Sequence, residues 1–242
     1  MGIIIFKEIV SYFSSLAGYI TILVFLVVLG LFLWVFPESS ILEYGYAGLD
    51  SMFNILPYLF IFLIPAVSMR TFSEEKKEGT FELLATKPLT DWQIILGKYF
   101  AVLLVVVVAL LPTLVYYLSV YFLGNPVGNI DSGAVIGSYI GALLLAAVFT
   151  ALGVFTSAIT KNQIIAFALS VFLSFFMFSG FGSLSQILSL QHISYYLTSL
   201  GLEEHYQSVG RGVLDTRDLI YFLSITAFFL LATRTVLRSR VW

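Results

Sequence analysis

The sequence predicts an all-α polytopic membrane protein with six transmembrane helices and both termini cytoplasmic. Three observations lead there. Of 242 residues, 60% are hydrophobic and 11% charged, against about 25% charged in an ordinary soluble domain, so there is too little polar surface to face water. Six apolar runs, at 16–36, 52–69, 99–123, 133–160, 164–184 and 219–233, contain no Asp, Glu, Lys, Arg or His, and a bilayer needs about 20 helical residues to cross. Lys and Arg, finally, are distributed unevenly between the two sides that these runs define.

Residues 1–15 precede the first run. At about 100° per residue, Lys7, Glu8, Ser11, Ser14 and Ser15 fall on one arc, with Ile5, Phe6, Ile9, Tyr12 and Phe13 largely opposite, the pattern of an amphipathic helix lying in the membrane interface. A simple helical extension of the first span fits the same residues. A secretory signal does not, because Lys7 is matched by Glu8 and the apolar run that follows is too long.

Placing the N-terminus inside puts Lys7, Arg70, Lys76, Lys77, Lys87, Lys98, Lys161, Arg234, Arg238 and Arg240 in the cytoplasm, ten of twelve basic residues, as the positive-inside bias requires. Only Arg211 and Arg217 fall outside. Glu38, Glu43, Asp50, Asp131, Glu203, Glu204, Asp215 and Asp218 lie on the outer side.

Within the spans, Pro57, Pro65 and Pro112 free carbonyls and mark kinks. The fourth span opens with Gly133, Gly137 and Gly141, stacked on one helix face where another backbone can approach. Spacing alone leaves open whether that partner lies in the same subunit or a second one. Between spans five and six, residues 185–218 are too polar to cross. Leu188, Leu190, Ile193, Tyr195, Tyr196, Leu197 and Leu200 suit one or two short helices in an external re-entrant or interfacial region, and an ordinary structured loop fits nearly as well.

Several function classes are disfavoured. The chain has no cysteine, so thiol catalysis, disulfides and iron–sulfur clusters are out. His192 and His205 sit in no metal-ligand spacing. The net charge of −2 offers no field for nucleic acid. Ion-coupled carriers and intramembrane hydrolases place ionisable groups in their spans, and these spans have none. The serines of Phe178-Ser179-Gly180-Phe181-Gly182-Ser183 have no neighbouring base.

The most charged stretch is the cytoplasmic connection 70–98. Mixed charges precede Gly79, which can end one helix and let another begin. Phe81, Leu84 and Ala85 then form an apolar stripe, Pro88 stops it, and Thr90 with Gln93 reads as a capping box opening the next helix. A short helix with an apolar stripe and a charged rim suits a groove on a soluble partner, and a solvated loop is as compatible.

The run Glu74-Glu75-Lys76-Lys77-Glu78-Gly79-Thr80-Phe81-Glu82-Leu83-Leu84-Ala85-Thr86-Lys87-Pro88, followed by Ile95-Leu96-Gly97-Lys98, resembles the signature of ABC-2 type transporter permeases. The stretch from His205 to Asp215, with Asp218-Leu219-Ile220-Tyr221-Phe222 and the Arg238-Ser239-Arg240-Val241-Trp242 ending, looks most like gliding-motility-associated ABC transporter permeases. This resemblance implies a permease of the cytoplasmic (inner) membrane with a coupling helix that docks on an ABC ATPase subunit dimer through Glu74 to Ala85. It also implies a second permease chain, identical or related, and a smaller contact at Lys161, Asn162 and Gln163. No G-x-x-x-x-G-K-[ST] loop occurs, so the chain is expected to bind no cofactor and to be no enzyme, with ATP and Mg on the partner. Two rival readings remain: a mechanical or scaffolding subunit that moves no substrate, and an ungated channel.

Overall fold

The computed structural model describes residues 1–43, 45–81, 89–187, 192, 194–212 and 215–239. Among these every regular element is helical, and six helical stretches are long and apolar enough to cross a membrane.

Helix α1 (Gly2–Phe13) is followed directly by α2 (Leu16–Trp34), whose first turn is capped by Ser15 accepting from the Gly18 N–H. Helix α3 (Asp50–Ser68) passes through Met69, itself helical at φ −54, into α4 (Arg70–Glu78). Together they form one 29-residue rod, about 44 Å long at 1.5 Å per residue. It stops at Gly79, whose left-handed φ of 74 is the usual conformation after a helix end. The Thr90–Gln93 capping box is present in full and opens α5 (Asp91–Leu110). Around Pro112 the chain tightens into a 3₁₀ turn, Leu111–Thr113, before α6 (Leu114–Leu123) completes the third span.

Asp131 caps α7 (Ser132–Ile159) by accepting from the Gly133 and Ala134 N–H groups. Asn162 caps α8 (Gln163–Phe175). The fifth span then passes through a π-helical turn, Phe176–Gly180, into α9 (Phe181–Ser185). Two short helices follow, α10 (Ser194–Ser199) and α11 (Leu202–Gly210), and α12 (Thr216–Arg238) ends the bundle. This last helix begins before and ends after the apolar run 219–233, taking in the charged residues Arg217, Asp218, Arg234 and Arg238.

Helix α7 is the hub. It touches α3, α4, α5, α8, α11 and α12, and its membrane segment is 72% buried where those of α2 and α12 are each 22% buried. Its surface explains this: Ala142, Ala146, Ala151 and Ala158 are fully buried, and small residues let neighbouring backbones close in. A Cβ on Gly137 would stand 2.8 Å from the Gly212 Cα and 3.1 Å from the Val209 carbonyl oxygen, and one on Gly141 would stand 3.2 Å from Val209. The two glycines therefore receive α11 of the same chain. Gly133 faces only the Asp131 side chain at 3.3 Å.

The region between spans five and six is more integrated than a surface loop. Leu202, Tyr206 and Val209 of α11 are buried, while Tyr195 and Tyr196 of α10 are 74% and 68% exposed; Leu188, Leu190 and Ile193 lie outside the described residues. Pro57 has no N–H to satisfy the Phe53 carbonyl one turn back, and the buried Tyr206 hydroxyl donates to that carbonyl at 2.8 Å. The carbonyl freed by Pro57 is thus satisfied from α11. The described basic residues of the predicted cytoplasmic set gather at one end of the bundle, which we call the basic end, and the acids from Glu38 to Asp218 at the other.

Gly137→Val should cost about 1–3 kcal/mol, because the side chain meets backbone that cannot yield, whereas Gly133→Ala should stay within about 0.5 kcal/mol. Thermal unfolding of the two variants in detergent measures both. An undisturbed Gly137→Val protein would contradict the close approach.

Candidate functional site at the basic end

The basic end is assembled around a buried lysine. Lys98, in the second turn of α5, is 1% exposed. Its ammonium donates to Glu8 of α1 at 2.8 Å and to the Thr71 carbonyl oxygen of α4, and stands 3.0 Å from Glu75 Oε2. That last approach is a charge contact rather than an aligned hydrogen bond, since Oε2 has no hydrogen-bond partner. Glu75 Oε1 accepts from Lys7 at 3.1 Å. Two lysines thus face two glutamates, and the cluster is electrically balanced, the condition under which charge can be buried. Lys98 also lies over the Phe72 ring, 5.1 Å from its centre.

Glycine at 97 lets this happen. A Cβ there would lie 2.9 Å from Ile4, so α1 seats directly on α5 and brings Glu8 to Lys98. Burial by itself would lower the Lys7 ammonium, but Glu75 and then Glu8 outweigh it and the net shift is upward. Lys7 therefore keeps its charge, and its part in the cluster, throughout the neutral range, and loses it only above the ordinary lysine value.

A second set of bonds ties α4 to the hub. Ser157, near the end of α7, accepts from the Phe72 and Ser73 N–H groups at 2.9 and 3.1 Å and donates to the Met69 carbonyl at 2.9 Å. One hydroxyl thereby occupies two amides of the first turn of α4. Lys76, 6% exposed, donates to the Ala158 carbonyl oxygen, a cation at the negative end of the α7 dipole. Arg234 lies over the Trp92 ring at 5.0 Å and Arg238 pairs with Asp91 at 2.9 Å, joining α12 to the same corner.

The residues singled out by the charged motif separate into two groups. Glu75 and Lys76 point inward, and Phe81 is 9% exposed, edge-on to Phe72 with ring centres 6.1 Å apart. Lys77, Glu78, Gly79 and Thr80 are exposed, and Glu74 is half-buried. Glu82, Leu83, Leu84 and Ala85 lie outside the described residues. At the same end, Lys161 and Asn162 are exposed and Gln163 is half-buried, in the turn that joins α7 to α8; both of those helices touch α4.

The sequence assigns Glu75 to the ATPase interface and Lys98 to the cytoplasmic charges and the permease motif, and does not show that the two meet. The available signal was a lysine inside a strongly apolar stretch, between Ile94, Ile95 and Tyr99, with an acid, Glu8, on the polar arc of the preceding amphipathic helix. Sequence reasoning also missed His205 at the opposite end. His205 Nδ1 is 2.6 Å from Asp218 Oδ1 and Nε2 is 3.0 Å from the Ser199 carbonyl oxygen, with Tyr221 stacked on the ring at 3.9 Å. A carbonyl only accepts, so Nε2 is spent as a donor and cannot activate a nucleophile. The pair clamps α10, α11 and α12 together. Among the described residues no group of three or more His, Asp or Glu could hold a metal ion.

Residues 37–234 match the family model described as ABC-2 family transporter protein. No curated protein matches the chain.

Removing one member of the cluster leaves the others uncompensated. Lys98→Met should cost about 3–5 kcal/mol, and adding Glu75→Gln should recover part of that loss. A double-mutant cycle by thermal or denaturant unfolding reads the coupling; strictly additive effects would mean that the charges do not act as a unit.

Proposed function

The chain belongs to the ABC-2 family of transporter proteins, and from that premise we propose that it is the permease subunit of an ATP-binding cassette transporter of the cytoplasmic (inner) membrane. Its basic end, with both termini, faces the cytoplasm. One observation carries this reading: the α3–α4 rod continues through Met69 to an exposed charged tip, and at that junction Ser157, with Lys76 beyond it, bonds it to the hub helix. A displacement of the tip has a stiff route into the spans.

In this mechanism a separate ABC ATPase dimer binds ATP and Mg, closes, and pushes on the segment Glu74 to Ala85. Glu74, Lys77, Glu78 and Thr80 offer charge and hydrogen bonds at its surface, and Leu83, Leu84 and Ala85 follow. Phe81 packs back on Phe72. Lys161, Asn162 and Gln163 form the second, smaller contact. Because the rod, α1, α5 and α7 share the Lys98 and Ser157 networks, they move as one body against a second permease chain.

The likeness of the stretch from His205 to Asp215 to gliding-motility permeases supports a role in that process. A mechanical reading, in which the same motion is delivered to an envelope machine and no substrate crosses, is favoured by the filling of the protomer: Met52, Leu56, Phe60, Phe149 and Phe222 are fully buried within it.

Lys77→Glu combined with Leu84→Asp should lower co-purification of the ATPase at least about tenfold, or about 1.4 kcal/mol, while thermal stability is retained. Full co-purification by the folded variant would remove the docking assignment. Ser157→Ala should behave differently. It takes the partner from the Phe72 and Ser73 amides, while the Met69 carbonyl keeps the Ser73 hydroxyl, costs about 1–3 kcal/mol, and should uncouple ATP hydrolysis from the membrane output with ATPase association intact. Normal coupling in a purified complex of the Ser157→Ala chain would exclude the transmission route.

A further inference from the structure

A cavity of about 540 Å³ opens between α1, the α3–α4 rod and α5, within the about 300–1,000 Å³ of small-molecule sites. Its chemistry is layered along the rod. Val67, with Ala101, Val102 and Val105 of α5, forms an apolar floor. Arg70 follows Val67 by three residues, Glu74 follows Arg70 by four, and Glu78 follows Glu74 by four, so the three charges climb one face of the helix at about 5.4 Å per turn.

Lys7, Glu8, Glu75 and Lys98 also line the cavity but are spent on one another. Arg70, Glu74 and Glu78 make no ion pair or hydrogen bond through their side chains among the described residues. In the wall, the buried Tyr12 hydroxyl makes no hydrogen bond of good geometry, and its hydroxyl neighbour Thr21, which donates to the Ala17 carbonyl, interacts with it only weakly. Burial is the largest influence on this phenol and raises it, against the smaller opposing pull of Thr21 and of the Arg70 charge, so it remains a neutral donor near pH 7. On the outer face of α1, Ile3 and Phe6 are 87% and 71% exposed, which sets the helix into the lipid surface and the cavity at headgroup depth.

We infer that this cavity holds the headgroup of phosphatidylethanolamine from the leaflet in which α1 lies. The phosphate meets Arg70 and the Tyr12 hydroxyl, the primary ammonium meets Glu74 and Glu78, and the acyl chains leave over Val67 and Val105. The order apolar, cation, anion along the rod is the order tail, phosphate, ammonium along the lipid. The two methylenes between phosphate and ammonium span about the one helical turn between Arg70 and Glu74. A primary ammonium has three protons to donate, which the quaternary nitrogen of phosphatidylcholine lacks. Phosphatidylglycerol would bring net negative charge to a lining that already holds four carboxylates against three cations. Glu74 and Glu78 also belong to the surface assigned to the ATPase, so lipid and ATPase would compete for them; lipid binding by the chain alone does not depend on the ATPase reading, and it makes membrane composition an input to the α3–α4 junction.

The purified full-length chain, delipidated in detergent, is titrated with phosphatidylethanolamine, phosphatidylcholine, phosphatidylglycerol and soluble phosphoethanolamine, with retained lipid read by native mass spectrometry and stability by thermal unfolding. The expected result is about tenfold tighter retention of phosphatidylethanolamine than of either other lipid, with an upward Tm shift, and no response to soluble phosphoethanolamine. Arg70→Gln should weaken retention of all three lipids by about tenfold, because each carries the phosphate. Glu74→Gln with Glu78→Gln should turn the preference toward phosphatidylglycerol, an outcome that loss of folding cannot mimic. Equal retention of all three lipids, unchanged retention by Arg70→Gln, an unchanged preference in the glutamate variant, or an equal response to the soluble headgroup would overturn the assignment.

Discussion

The close approach of helices to the small-residue surface of α7 is what the rest of the bundle depends on. In lipid there is no hydrophobic drive between helices, so association rests on packing and on hydrogen bonds between backbones that can come near. Gly137 and Gly141 admit α11, and Gly153 lies so near Ser68 of α3 that a Cβ would stand 2.0 Å from its hydroxyl. Once α11 is seated, Tyr206 reaches the carbonyl freed by Pro57, so a defect of the second span is repaired by a segment 150 residues later in sequence. The external region is thereby a structural part of the membrane domain.

The ends of the bundle are held by different means. At the basic end, α1, α4 and α5 converge on Lys98, and Ser157 and Lys76 attach α4 to the hub. At the acidic end, His205 and Asp218 bind α10, α11 and α12 around a stacked Tyr221. Buried charge of this kind adds little net stability relative to an apolar core. What it supplies is geometry: each ion has only one arrangement of partners, and the elements carrying them are held in one register.

That geometry gives the rod its mechanical character. A helix that merely emerged from the membrane would bend at its last apolar residue. Here the emerging turn, from Met69 to Lys76, is bonded on one side to α7 and on the other to α1 and α5, and the chain turns away only at Gly79. Force applied beyond Gly79 therefore enters three membrane-associated elements together. Lipid held at Arg70 and Glu74 would press on the same turn from the open side.

Much of this was legible in the sequence. The six spans, the Thr90–Gln93 cap, the helix stop at Gly79 and the gathering of basic residues at one end follow from rules that act over one or two turns: hydropathy, capping chemistry and backbone preference. Spacing also placed Gly137 and Gly141 on one face. What spacing could not supply was the partner, because the chain segment that fills that face, around Val209 and Gly212, is some 70 residues away, and its own helical stripe of Leu202, Tyr206 and Val209 does not specify which helix it meets. The same holds for the charges. Lys98 reads as one more flanking lysine until α1 folds back across Gly97 and delivers Glu8, and His205 reads as an isolated histidine until α12 brings Asp218. Local physics selects the elements from the sequence alone; which polar groups are buried, and against what, is decided only when distant segments are packed, since the cost of an unpaired charge arises only once water has been excluded.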